Sequence, residues 1–143
     1  MAFTVQNAVE IARNAHAGQV DKSGQPYIGH PLRVMGRVEG EHARMAAALH
    51  DVLEDTPVTA EDLLAAGCPP EVVATVVALT HLPDEPQEAY LARVVADPVA
   101  PVVKRADIAD NTSPERTAKL DEATRTRLAA KYARAVHLLD TLR

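Results

Sequence analysis

At 143 residues the chain is sized for one domain, long enough to bury about two-thirds of its unfolded surface without a disulfide or a structural metal. One Phe, three Tyr and no Trp, set against an apolar fraction supplied mostly by Ala, Val and Leu, favour closely packed helices over a β-sandwich, so an all-α fold is expected. A net charge of −5 argues against a general nucleic-acid binder, which needs a basic face, and the single Cys68 excludes a disulfide framework and a thiolate metal cluster.

Thr4 is a good N-cap for a first helix running to about residue 17, with Val5, Ala8, Val9, Ala12 and Ala15 at helical spacing and Gly18 ending it. Residues 21–26 form a polar, turn-rich loop that leads to His30, which the following Pro31 places at the start of a second helix. A third helix is predicted from 41 to about 53, its stripe being Met45, Ala46, Leu49 and Val52, with a stop near Thr56 and Pro57. Thr59 and Asp62 form a capping-box start for a short helix that ends at Gly67, and Cys68 reads as a turn residue. The next segment opens on Pro69 and Pro70. Its valines favour strand by propensity, but the spacing of Val72, Val73, Val76 and Leu79 predicts a buried helix. Residues 81–86 read as a loop, 87–96 as a helix, and 98–110 as a further helix with Asp107 near its C-terminal end. Ser113 and Pro114 supply an N-cap and a first-turn proline, and Leu128, Tyr132, Ala135, Leu139 and Leu142 are the expected buried stripe of a long terminal helix. No repeat or linker interrupts residues 1–143, which read as a single domain without room for a second catalytic one. The absence of a long apolar run and of a signal-peptide layout leads to the expectation of a cytoplasmic protein with no membrane partner.

The chemistry concentrates at His50 and Asp51. On one continuous helix they sit side by side, with Glu54 and Asp55 about one turn further along the same face. Four ionisable groups on a helix that must also bury Leu49 and Val52 are costly unless a cation or water offsets the charge; a solvated acidic helix end is the plainer alternative. A neutral imidazole beside a carboxylate is half of a divalent-metal site, and His30 and Asp107 are the candidates for the other half. Such a set leaves coordination positions for water and a phosphate oxygen, which points to a hydrolase. His16 reads as a packed or hydrogen-bonded helix residue, and His42, His81 and His137 as surface or core. Tyr27 and Tyr90 are expected to be buried with satisfied hydroxyls, stacking on a base being the alternative. No glycine-rich phosphate loop is present, so a nucleotide would be held by side chains and metal.

His30 in PYIGHP, His50 and Asp51 in ALHDVLEDT, and Asp107 in VVKRADIADN follow the order of the HD superfamily of metal-dependent phosphohydrolases. More narrowly, AHAGQ, KSGQPYIGHPL, HDVLEDT and VKRAD resemble the hydrolase domain of the RelA/SpoT alarmone enzymes over residues 8–111. The resemblance implies a compact helical HD domain, with Mn²⁺ held by His30, His50, Asp51 and Asp107. It also implies Glu54 and Asp55 as the catalytic acidic pair, and Lys22, Ser23 and Asn111 beside the substrate. The implied reaction is release of the 3′-pyrophosphate of guanosine tetra- or pentaphosphate by attack of metal-bound water. By charge alone Lys104, Arg105 and Arg116 are further candidates to neutralise the leaving group, a solvent-facing charge being an equal alternative for each. The chain departs from that pattern at Asp21, where the family carries Arg, and at Ile108, Ala109 and Asp110, where a basic residue, Leu, and His or Tyr are usual. Two alternatives stay open: an HD nucleotidase acting on another nucleotide, and a nucleotide sensor without turnover.

Overall fold

The computed structural model describes residues 2–142, and among them every regular element is a helix. The chain begins with α1 (Val5–Ala15), α2 (Gly29–Met35), α3 (Glu41–Leu49), α4 (Val52–Asp55) and α5 (Ala60–Ala65). It continues with α6 (Pro70–Ala78), α7 (Gln87–Ala96), α8 (Ala100–Asn111), α9 (Pro114–Thr117) and α10 (Glu122–Thr141). Local chemistry sets the starts. Thr4 and Asn7 close a reciprocal capping box on α1, as Thr59 and Asp62 do on α5. Gly18 and Gly67 leave their helices in the left-handed region, at φ 83° and 97°, which glycine adopts without a Cβ penalty. The valine-rich segment is the helix α6, its Val72, Val73 and Val76 buried: a 3.6-residue apolar period and a proline at the first turn outweigh strand propensity.

α3 is the central element, packed against α1, α2, α6 and α8, with Ala43 and residues 45–49 all buried. Its alanines let neighbouring helices approach closely, which is how a chain so poor in aromatics closes its core.

Two boundaries differ from the sequence expectation. The third helix does not run through His50 to residue 53; it ends at Leu49 and restarts as α4. The cause is local: His50 Nδ1 lies 2.6 Å from the Ala47 carbonyl oxygen, the acceptor that Asp51 N–H would use in an uninterrupted helix. Asp51 accordingly sits at φ −103°, ψ 0° in the joint. The C-terminal region is likewise two helices. Ser113 bonds back to the Asp110 carbonyl instead of capping, α9 lasts four residues, and α10 begins afresh behind Asp121, whose carboxylate accepts Thr124 N–H.

Candidate metal centre

His30 is placed by the first turn of α2, His50 and Asp51 by the α3–α4 joint, and Asp107 by α8. His30 Nδ1 is 2.6 Å from Asp110 Oδ2, and its Nε2 is 2.8 Å from Asp107 Oδ1. A carboxylate can only accept, so Nδ1 carries a proton in the first of these pairs. The 3.0 Å approach of Arg116 Nη1 to the same nitrogen is therefore a contact rather than a second hydrogen bond. His50 donates from Nδ1 to Ala47, which leaves its Nε2 as the outward nitrogen. That Nε2 is buried and lies 3.0 Å from Asp51 Oδ2 and 3.3 Å from Asp107 Oδ1, yet has no hydrogen bond to either. The ligand atoms of His30, His50 and Asp107 all fall within 4.8 Å of one another. Asp51 Oδ2 lies beside them, 3.8 Å from His30 Nε2 and 3.0 Å from His50 Nε2. An orphaned buried imidazole nitrogen facing two carboxylates, with both rings pinned from behind, fits a divalent cation.

The electrostatics point the same way. Burial favours neutral imidazoles, but Asp51 and Asp107 raise His50 well above its ordinary range, and Asp107 and Asp110 raise His30. Burial would lift the Asp107 carboxyl, whereas Lys104, at 3.1 Å, and the two imidazoles hold it well below the usual range. Asp51 is depressed against its burial chiefly by His50. A divalent cation held among these groups would supply the positive charge that the two carboxylates otherwise draw from the imidazoles, so protons and metal would compete. The Tyr27 hydroxyl donates to Asp51 Oδ2, and burial together with Asp51 pushes its pKa far up, so it remains a donor. Tyr90 is also buried, its hydroxyl donating to Leu79 O at 2.7 Å; neither tyrosine hydroxyl is free for a ligand. His16 packs against the Tyr27 ring with Nδ1 on Gln19 Oε1 at 2.9 Å.

The centre forms the floor of a cleft of about 570 Å³, within the range of small-ligand sites. Glu54, Asp55, Lys22, Ser23 and Asn111 all line it. Glu54 Oε1 accepts the backbone N–H of His81 at 2.9 Å. Burial, then Asp51 and Glu54, raise the Asp55 carboxyl above its ordinary range. Asn111 is tied to its neighbours: Nδ2 donates to Asp107 Oδ1 at 3.1 Å, and Oδ1 accepts from Arg116 Nη1 at 2.6 Å. Asp21 Oδ1 accepts from Ser23 N, Ser23 Oγ and Gln25 N and so shapes the loop, while Oδ2 lies 3.5 Å from Arg116 Nη2, which offsets its charge. Arg105 pairs with Asp140 away from the cleft, at 2.7 Å.

Sequence reasoning missed three contributors. Asp110, fully buried against His30, was read only as a departure. His81 stacks on Tyr90 with ring centroids 4.5 Å apart and lines the cleft. α10 presents Leu128, Lys131 and Tyr132 to the cleft; of its expected stripe Ala135 and Leu139 are buried, Tyr132 and Leu142 pack against the core, and Leu128 and Tyr132 also line the cleft, which helical periodicity does not distinguish.

The fold and this cluster define an HD domain, and the chain belongs to the HD domain family, whose model matches residues 8–140. It is similar to the guanosine-3′,5′-bis(diphosphate) 3′-pyrophosphohydrolase of Haemophilus influenzae, 54% identical over 57 residues that make up 37% of this chain and 8% of that protein. It is also similar to the bifunctional (p)ppGpp synthase/hydrolase SpoT of Escherichia coli K12, 44% identical over 63 residues, 41% of this chain and 9% of that one. The chain thus matches less than a tenth of the length of these two relatives. A solved structure described as a metazoan ortholog of SpoT that hydrolyzes ppGpp superposes with a TM-score of 0.80 over 97% of this chain and 86% of its own. Its sequence identity is 22%, and the likeness shows the shared all-α fold.

Proposed function

We propose that this chain is a Mn²⁺-dependent phosphohydrolase that removes the 3′-pyrophosphate of guanosine tetra- or pentaphosphate, giving guanosine 5′-diphosphate or 5′-triphosphate and pyrophosphate. The observation that carries the reading is the convergence of His30 Nε2, His50 Nε2 and Asp107 Oδ1 beside Asp51, under a cleft of nucleotide size. Relatives named for this reaction match the chain over short stretches and supply the substrate class. The mixed nitrogen and oxygen donor set suits a first-row divalent ion with open positions. A cation held there supplies Lewis-acid activation of water and of a phosphoryl oxygen.

The protein's own groups do the rest. Tyr27, Asp110 and Asn111 fix Asp51, His30 and Asp107 before substrate arrives, so little reorganisation accompanies reaction. Asp55 takes the proton of the attacking water, its raised pKa bringing it closer to the working range of a general base. Glu54 is held by its bond to the His81 backbone and braces that rim of the cleft. Lys22, with no carboxylate partner among the described residues, draws in the anionic phosphates; Arg116 is already occupied by Asp21 and Asp110.

The test is a nucleotide panel incubated with the chain and Mn²⁺, scoring pyrophosphate against orthophosphate. Guanosine tetraphosphate is expected to yield pyrophosphate. His50→Ala and Asp107→Ala are expected to lose both bound Mn²⁺ and turnover; normal hydrolysis by either variant refutes the ligand assignment. Turnover of a different nucleotide alone refutes the substrate, and tight binding without turnover identifies a sensor.

A further inference from the structure

We infer that Asp110 is a positioning residue of the centre, which together with Arg33 and Arg116 locks the His30 ring so that Nε2 faces the cation. The inference rests on the reading of His30 as a ligand. α8 meets both nitrogens of this one imidazole: Asp107 lies at Nε2 and Asp110, three residues on, at Nδ1, at 2.8 and 2.6 Å. α2 returns the arrangement, because Arg33, three residues after His30, donates from Nε to Asp110 Oδ1 at 2.8 Å. Residues three apart share a helix face. Two such pairs on crossing helices, His30 with Arg33 and Asp107 with Asp110, therefore interleave in one polar chain, Asp107–His30–Asp110–Arg33. A Cβ at Gly29 would sit 2.8 Å from Arg33 Nη1, the far end of that flexible side chain, which would have to shift.

Asp110 is 1% exposed and accepts a third bond, from Arg116 Nη1 at 3.2 Å. Arg116 also reaches Asp21, so the two acidic departures noted in the sequence face one guanidinium. A buried anion on Nδ1–H holds the ring in one tautomer, fixes its rotation and strengthens Nε2 as a donor. No other group in this chain of contacts can select that tautomer, since Arg33 and Arg116 are donors only and Asp107 lies at the other nitrogen.

The experiment is Mn²⁺ titration of the whole chain, following free Mn²⁺ by electron paramagnetic resonance, with the Co²⁺ visible spectrum reporting ligand geometry. Asp110→Asn, which keeps shape but loses charge, is expected to weaken Mn²⁺ binding about 10–100-fold and to alter the Co²⁺ spectrum while circular dichroism stays helical. Arg33→Met, at a side chain 46% exposed, is expected to weaken binding in the same direction by a smaller factor. A folded Asp110→Asn that binds Mn²⁺ within twofold of the parent, with an unchanged Co²⁺ spectrum, overturns the inference. Should Asp110→Asn not fold, unchanged binding by Arg33→Met does so instead. A parent chain with no Mn²⁺ affinity is a different result, sinking the metal reading itself.

Discussion

Glu54 and Asp55 are neighbours in sequence that differ in what they touch. Glu54 is bonded to the His81 backbone, whereas Asp55 makes no side-chain hydrogen bond among the described residues and has its carboxyl pKa raised by burial, Asp51 and Glu54. Asp55→Asn is therefore expected to lower kcat by about 10²–10⁴-fold while leaving Mn²⁺ affinity within a few-fold, checked by steady-state kinetics alongside metal titration. An equal loss of metal binding would move Asp55 from proton handling to ligation. That His30, His50, Asp51 and Asp107 would lie near one another was legible in the sequence because they stand in the motifs PYIGHP, ALHDVLEDT and VVKRADIADN, in the order of the HD superfamily, and not from residue type alone. Asp110 was not, because its partner lies 80 residues away and an aspartate on a helix looks the same whether solvent or a buried ring receives it.

Helix starts were legible as well, since a capping box or a first-turn proline is written in adjacent residues, as at Thr4, Thr59 and Pro70. Helix interruptions were not. The break after Leu49 arises from a histidine side chain taking a backbone carbonyl, and nothing in the spacing of Met45, Leu49 and Val52 foretells it. At the same scale, Arg93 staples α7 to the cleft rim: it donates to both Glu85 oxygens, at 2.8 and 2.7 Å, and to Thr80 O at 2.9 Å. Its hydrogen bonds to Glu85 hold that carboxyl down at about 2, against 4.5 for an ordinary Glu. The folded pKa is depressed, so the stabilisation is present above about pH 4.5 and lost as pH falls toward 2. A carboxyl titration by NMR is expected to show Glu85 protonating near the lower value, and closer to 4.5 in Arg93→Ala, where the Leu82 N–H bond remains. The stability difference between parent and Arg93→Ala is expected to shrink over that same acid range.

Across the whole molecule, burial is unequal. α3 is enclosed from Met45 through Leu49, while α10, twenty residues long, buries only Ala135, Leu138 and Leu139, packing on α7 and α8. The all-α class was legible from composition, since Ala, Val and Leu dominate and aromatics are few. The cleft-lining role of α10 was not, because Leu128 and Tyr132 obey the helical period that also packs Tyr132, Ala135 and Leu139 on the core. A segment so lightly anchored opens more readily than the centre of the fold, and whatever fills the cleft completes its underside. Guanosine diphosphate, the expected product, should therefore slow amide hydrogen exchange along α10 while leaving α3 at its already slow rate, a contrast read by mass spectrometry. On the proposed function the terminal helix would serve as a clasp, its breathing admitting the nucleotide and the nucleotide quieting it.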